Sequence, residues 1–283
     1  MYAPISLLSF LILLPLAPFV HKVHRLLTIV TLVIFIASTT YVWLTHPFSP
    51  DARLRVAFEQ HVELTDLSRT TSRPQLTRAV TQLSALEDYG PRLVGTLPSS
   101  WNSSSSYDCW GHEWLTGLTT CAWAVPAGLQ PSIPSSRDNE KGSWFVANVT
   151  RLGPVSLRAE IEGFHTRACR IYLDSHRIRR YRVRTHQKGG ATAWTNYEMP
   201  QWRGTHFLAL WGRAFGSRFE VELGVDGDGQ VAGRVSCLWN DGPGGARIPA
   251  LEEARAFLPE WVAITSITNG LVEASSGFVL REE

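Results

Sequence analysis

Residues 53–64 read Arg-Leu-Arg-Val-Ala-Phe-Glu-Gln-His-Val-Glu-Leu, which sets Leu54, Val56 and Phe58 on one side of an extended chain. A repeat of two marks a half-buried β-strand. Short runs of the same kind recur outward from it, at 144–149, 155–161, 169–173, 180–184, 206–211, 219–225, 231–239 and 261–267. Most are divided by turn chemistry such as Gly189-Gly190, Asp226-Gly227-Asp228-Gly229 and Asn240-Asp241-Gly242-Pro243. Many short strands punctuated in this way imply a β-sandwich or barrel. One helix stands out at 249–258. Pro249 opens it, Glu252 and Glu253 complement the positive end of its dipole, and Leu251, Ala254, Phe257 and Leu258 share a face before Pro259. The runs 103–106 and 126–142, rich in serine and proline, read as loops.

Upstream the composition changes abruptly. The 283-residue chain has 27 Lys and Arg and 25 Asp and Glu, yet its first 44 residues carry only Lys22 and Arg25. Residues 2–20 and 26–44 are charge-free, and each run is long enough to span a bilayer. The five residues between them, His21-Lys22-Val23-His24-Arg25, suit a helical hairpin whose cationic turn faces the cytosol. Both ends of the chain then face an exoplasmic or lumenal compartment. A signal peptide followed by one anchor is the other reading, since 7–17 resembles a leucine-rich signal core, but its positive charge follows the apolar run where a signal peptide has it before. The expected organisation is a transmembrane hairpin over 1–46 and a mainly β, sandwich-like lumenal domain over 47–283 with one short C-terminal helix. A chain that opens on an apolar span also looks like the end of a longer multi-pass protein. The net charge of +2 argues against nucleic acid as a partner.

Four cysteines, Cys109, Cys121, Cys169 and Cys237, all lie beyond the apolar runs and none has Cys-x-x-Cys spacing. Three pairings are possible. Cys109 with Cys121 closes a short local loop, and Cys169 with Cys237 ties two strands, so this pairing is expected. Two sequons, at Asn102 and Asn148, fall in the same region. Together with the hairpin charge they favour the lumenal side.

No segment presents a complete catalytic motif. His112-Glu113-Trp114-Leu115-Thr116 has the His-Glu pair of a zinc protease but threonine where the second histidine belongs. Asp226 and Asp228 fit glycine turns better than a calcium loop. Residues 164–188 hold eight Lys and Arg against Asp174 alone, and Arg180, Arg182 and Arg184 alternate so that they project from one sheet face. A solvated face is the plain reading of this stripe; an anion-binding surface is the functional one, because guanidinium groups suit phosphate and carboxylate. The 11 tryptophans offer either core packing or platforms for sugars.

Several segments, in order, carry a resemblance. They are Lys22-Val23-His24; Pro47-Phe48-Ser49 with Arg53-Leu54-Arg55-Val56; Gly117-Leu118-Thr119-Thr120-Cys121-Ala122-Trp123; Thr166-Arg167-Ala168-Cys169-Arg170; Gly233-Arg234-Val235-Ser236-Cys237-Leu238-Trp239; Ile248-Pro249-Ala250; and Gly270-Leu271-Val272-Glu273. Read together they resemble the C-terminal lumenal region of the fungal vacuolar membrane proteases, multi-pass proteins of the zinc aminopeptidase-like class related to endoplasmic-reticulum metallopeptidases. The resemblance implies a vacuolar membrane location, glycosylation, and a two-zinc catalytic domain N-terminal to these spans. Nothing here matches that domain's His-x-Asp, paired-glutamate and distal-histidine ligands, so no catalytic or metal residue and no cofactor is assigned to this chain. Zinc belongs to the full-length family. The expected role is a non-catalytic portion serving assembly, sorting or recognition. Its expected partners are the lipid bilayer, other transmembrane helices or a separate catalytic domain. The alternatives are a fragment or subunit of an active zinc metallopeptidase, and a glycan- or anion-binding module.

Overall fold

The computed structural model describes residues 25–44, 47–67, 75–101, 107–111, 117–133, 143–187, 190–198, 204–227, 229–242, 245–266 and 270–281. The chain divides into two compact units, Met1–Arg53 and Leu54–Glu283.

In the first unit, Arg25–Leu44 forms helix α1, with no acid in its first turn and no base in its last. Its hydroxyls turn inward on the backbone: Ser38 and Thr39 donate to the Phe35 carbonyl and Thr40 to that of Ile36. The helix therefore presents few unsatisfied polar groups, and its large apolar side chains, including Ile34, Phe35 and Trp43, are exposed. Taken over the residues whose side chains are described, no helix is long and apolar enough to cross a membrane. The expected first span, 2–20, lies outside the described residues.

The second unit is mainly β and contains two sheets. The nine-stranded sheet is built from β1 (Leu54–Leu64), β2 (Leu76–Leu86), β3 (Asp108–Gly111), β4 (Leu118–Ala124), β7 (Ala168–Leu173), β11 (Phe207–Trp211), β13 (Val231–Trp239), β14 (Val262–Thr265) and β15 (Val272–Leu280). Their order is β11-β7-β13-β15-β1-β2-β4-β3. β1 pairs in parallel with β14 along its first half and with β15 along its second, and the other neighbours are antiparallel. The six-stranded sheet comprises β5 (Phe145–Gly153), β6 (Ser156–Gly163), β8 (Ile178–Gln187), β9 (Gly190–Ala191), β10 (Thr195–Glu198) and β12 (Arg218–Val225). It runs β10-β8-β12-β6-β5, with β9 on β8.

Alternation explains the core. On β1, Leu54, Val56, Phe58, Val62 and Leu64 are buried, while Arg55 and Glu63 on the other face are exposed. On β6, Leu157, Ala159 and Ile161 point inward between half-buried Arg158, Glu160 and Glu162. The two sheets meet at one end of β6, where a Cβ at Gly163 would lie 3.3 Å from Cys169 Sγ and 3.4 Å from Cys237 Sγ. Both disulfides, Cys109–Cys121 and Cys169–Cys237, are formed. Beside the second, Trp239 donates from Nε1 to the Phe164 carbonyl at 2.6 Å and meets Trp144 edge-on at 5.0 Å between centroids.

The helix after β13 spans Pro249–Phe257 and ends one residue before the expected limit. It is not alone: two shorter helices, Gly90–Val94 and Pro98–Trp101, lie between β2 and β3. Strands β2, β4 and β15 also go beyond the expected runs. β2 carries Ala79, Thr81, Leu83 and Ala85 at its inward positions and β15 carries Val272, Ala274, Ser276 and Phe278, so small and hydroxyl residues dilute the apolar alternation of both.

Candidate functional site

Arg180, Arg182 and Arg184 occupy alternate positions of β8 on the outer face of the six-stranded sheet. The antiparallel register with β12 sets Arg184 opposite Glu220, Arg182 opposite Glu222 and Arg180 opposite Gly224. Arg182 Nε donates to Glu222 Oε2 at 2.6 Å, and Arg184 Nε to Glu220 Oε2 at 2.8 Å. Arg158 on β6 donates to the other Glu220 oxygen, His186 Nε2 lies 3.3 Å from Oε2, and Arg218 Nη2 reaches Glu160 at 2.5 Å. The Trp194 ring lies 4.8 Å from both the Arg182 and Arg184 guanidinium carbons.

Glu220 is the hub of this network although only 4% exposed. The Arg158 hydrogen bond, with those of Arg184 and His186, holds its carboxyl at about 2 against the upward push of burial. The stripe is therefore a ladder of alternating charge across three strands, and two of its three arginines are already committed to glutamates. Arg180 differs. Its side chain lies over Gly224, where a Cβ would come within 2.5 Å of Arg180 Cγ, and among the described residues it has no carboxylate partner. Sequence reading missed the glutamates because they stand 36 and more residues away, although Glu220-Val221-Glu222 carries the matching alternation.

Other expected positions are scattered. Asn148 is exposed on β5, while Asn102, the His112-Glu113 pair and Asp228 lie outside the described residues. The Arg177 backbone N–H, 2.6 Å away, holds the Asp226 carboxyl below the usual carboxylate range, with Arg179 assisting. Trp123 and Trp239 are core residues, whereas Trp110 and Trp211 are exposed.

Among the described residues, Glu59, His61 and Glu273 form the one group of potential metal ligands lying close together. All three are engaged by protein partners. Glu59 approaches His61 Nε2 at 3.8 Å, while Glu273 approaches Nδ1 at 3.9 Å, and the two ring nitrogens point in divergent directions. One ligand atom of each lies within 4.8 Å of the other two. Glu273 is moreover taken up by Ser236 at 2.5 Å and Arg170 at 3.5 Å, and His61 Nε2 by Gln82 at 3.2 Å. The arrangement is a hydrogen-bonded network on the outer face of the nine-stranded sheet.

Comparison with known proteins gives these elements a family. The vacuolar membrane protease of Coprinopsis cinerea is 34% identical over 87% of this chain and 28% of its own length. That of Schizophyllum commune is 34% identical over 88% and 26%, and that of Ajellomyces dermatitidis 30% identical over 88% and 26%. The chain thus spans about a quarter of the length of these relatives. Among solved structures, the yeast delta-COP-I mu-homology domain aligns at 10% identity over 80% of this chain and 95% of that one, with a TM-score of 0.25, too low to bear on fold or function. The family described as vacuolar membrane protease, C-terminal domain, matches residues 54–274, from the first residue of β1 into β15. With nearly all of both sheets inside that match, the chain belongs to the vacuolar membrane protease family and carries its C-terminal domain.

Proposed function

We propose that this chain is the membrane-anchored C-terminal portion of a vacuolar membrane protease, serving assembly, sorting or recognition at the vacuolar membrane and not itself hydrolysing peptide bonds. The observation that carries the reading is the match of residues 54–274 to the C-terminal domain alone, about a quarter of the length of the relatives. Zinc-assisted hydrolysis needs several ligands converging on one ion and an open position for water. In this reading the zinc chemistry resides in another part of the relatives' longer chains.

The apolar runs 2–20 and 26–44 form a hairpin across the bilayer with Lys22 and Arg25 at the cytosolic turn. The sandwich-like domain then lies in the lumen, where an oxidising environment maintains both disulfides and Asn102 and Asn148 are open to glycosylation. Protease treatment of intact vacuoles should leave the domain uncut, and digestion from outside would sink the lumenal placement. Purified chain should neither retain stoichiometric zinc nor cleave aminoacyl substrates; chelator-sensitive cleavage would overturn the non-catalytic role.

A second reading, favoured by coverage of only about a quarter of each relative, is that the chain is a subunit or fragment of an active zinc metallopeptidase. Co-purification with a peptidase domain and gain of chelator-sensitive activity in the pair would distinguish it.

A further inference from the structure

At one end of the nine-stranded sheet, three strands leave a hollow on the outer face. Cross-strand register aligns Trp211 of β11, Ala168 of β7 and Leu238 of β13 in one row. Ala168 is the small member, so Trp211 and Leu238 stand as walls on either side of it. Phe215 and Arg167 close the top, giving a cleft of about 380 Å³. That volume is at the low end for a ligand pocket and suits one bulky apolar side chain. Trp211 and Phe215 are 58% and 60% exposed, which leaves a large aromatic surface uncovered.

Two further features say what would cover it. First, the backbone beside the cleft is open. Leu173 N–H donates to His206 O and Gly212 N–H to Arg167 O, so even-numbered residues of β11 bond to β7 and odd-numbered ones face away. Phe207 is satisfied by the Thr205 hydroxyl. The amide groups of Ala209 and Trp211 have no partner among the described residues. An edge of this kind is a template for another strand. Second, the cleft carries one uncompensated cation. Arg167 stacks on Phe215 at 4.0 Å, its Nε is buried with no hydrogen-bond acceptor, and no carboxylate pairs with it among the described residues. Five sheet-face arginines, Arg158, Arg170, Arg182, Arg184 and Arg218, by contrast have glutamate partners.

We propose that this end of the domain binds an extended peptide, which adds a strand to β11 through Ala209 and Trp211, then turns across Trp211 beyond the paired segment to seat its next apolar side chain over Ala168 and set a carboxylate on Arg167. The backbone bonds give generic affinity, and the cleft selects an apolar residue followed by an acid. The site does not depend on which side of a membrane the domain occupies.

The test uses the full chain in detergent and four labelled hexapeptides of alternating valine and threonine, ending in phenylalanine, leucine, tryptophan or alanine followed by aspartate. Saturable binding is expected for at least one of the bulky-ended peptides and weaker binding for the alanine-ended one. Trp211→Ala and Arg167→Gln should each weaken binding about tenfold. Replacing the acid end by an amide should weaken the wild type by a similar factor but add little in Arg167→Gln, as expected for coupled groups. N-methylation of alternate peptide amides should abolish binding. Trp211 is exposed and Arg167 half-buried, and thermal unfolding of each variant verifies the fold; Ala168→Leu, which fills the floor, is the second route. Absence of saturable binding by all four peptides overturns the proposal, as does binding indifferent to both Trp211→Ala and Arg167→Gln. Occupation of the cleft by a mannose oligosaccharide with no peptide binding would assign it to sugars and equally overturn it.

Discussion

Arg184 and Glu220 face each other across the β8–β12 ladder, with Nε donating to Oε2 at 2.8 Å, and the carboxylate they share with Arg158 is 4% exposed. A charge so withdrawn from water is tolerated only while its partners surround it. Its folded pKa of about 2 lies below the ordinary 4.5, so its stabilisation is fully present above pH 4.5 and is lost as pH falls through 2. Urea midpoints should therefore hold between about pH 7 and pH 5 and fall steeply below about pH 4. Glu220→Gln should cost on the order of 2 kcal/mol near neutrality and flatten that acid limb. An unchanged limb in the variant would mean that another carboxylate sets the acid response.

Cys169 and Cys237 are opposite one another in the β7–β13 register, and the loop they close spans 68 positions. Fixing a loop of that length in the unfolded chain is worth about 4 kcal/mol in the chain-entropy model. Cys109–Cys121 closes only 12 positions and is worth about 3 kcal/mol. Replacing Cys169 and Cys237 together by alanine should lower the melting temperature of the full chain more than replacing Cys109 and Cys121. Calorimetry of the two double variants measures the order, and the reverse order would show that native contacts outweigh loop length.

The strands that carry the core by strict alternation, β1, β6, β12 and β13, were legible because a two-residue repeat needs only local sequence. β15 was not: it lies between β13 and β1, and Glu273 and Ser276 are buried there by their neighbours, with Ser236 donating to Glu273. The stripe at Arg182 and Arg184 was visible as charge, but its neutralisation depended on a β12 register that no local pattern reveals. The cleft at Ala168 was equally hidden, since its row joins three strands spread over residues 168–238.

Gly163 lies where the two sheets meet, and a Cβ there would come within 2.3 Å of Thr166 Cγ2 as well as against both sulfurs. Thr166 cannot retreat freely: it is 4% exposed, its hydroxyl donates to the Leu238 carbonyl, and it accepts from the Ala168 N–H at 3.2 Å. Gly163→Ala should cost roughly 1–3 kcal/mol through overpacking. Combining it with Thr166→Ser, which removes the clashing methyl and keeps the hydroxyl, should recover most of that loss in chemical denaturation. No recovery would place the strain at the disulfide.

Gln60 and Thr81 are opposite each other on β1 and β2, fully buried on the inward face, and each has an oxygen without a hydrogen-bond partner. Gln60 retains one bond, from Nε2 to the Leu129 carbonyl at 3.2 Å, so replacing it would leave a new orphan. Thr81 has no such obligation. A buried hydroxyl left unpaired costs about 1–3 kcal/mol, so Thr81→Val, nearly equal in shape, should be neutral or stabilising by up to about 1 kcal/mol. Loss of more than about 1 kcal/mol would instead require a partner for that hydroxyl, such as an enclosed water shared with Gln60 Oε1. Because valine cannot hold such a water while serine can, Thr81→Ser separates the cases: it should keep wild-type stability if the water is there and fall below Thr81→Val if the site is dry.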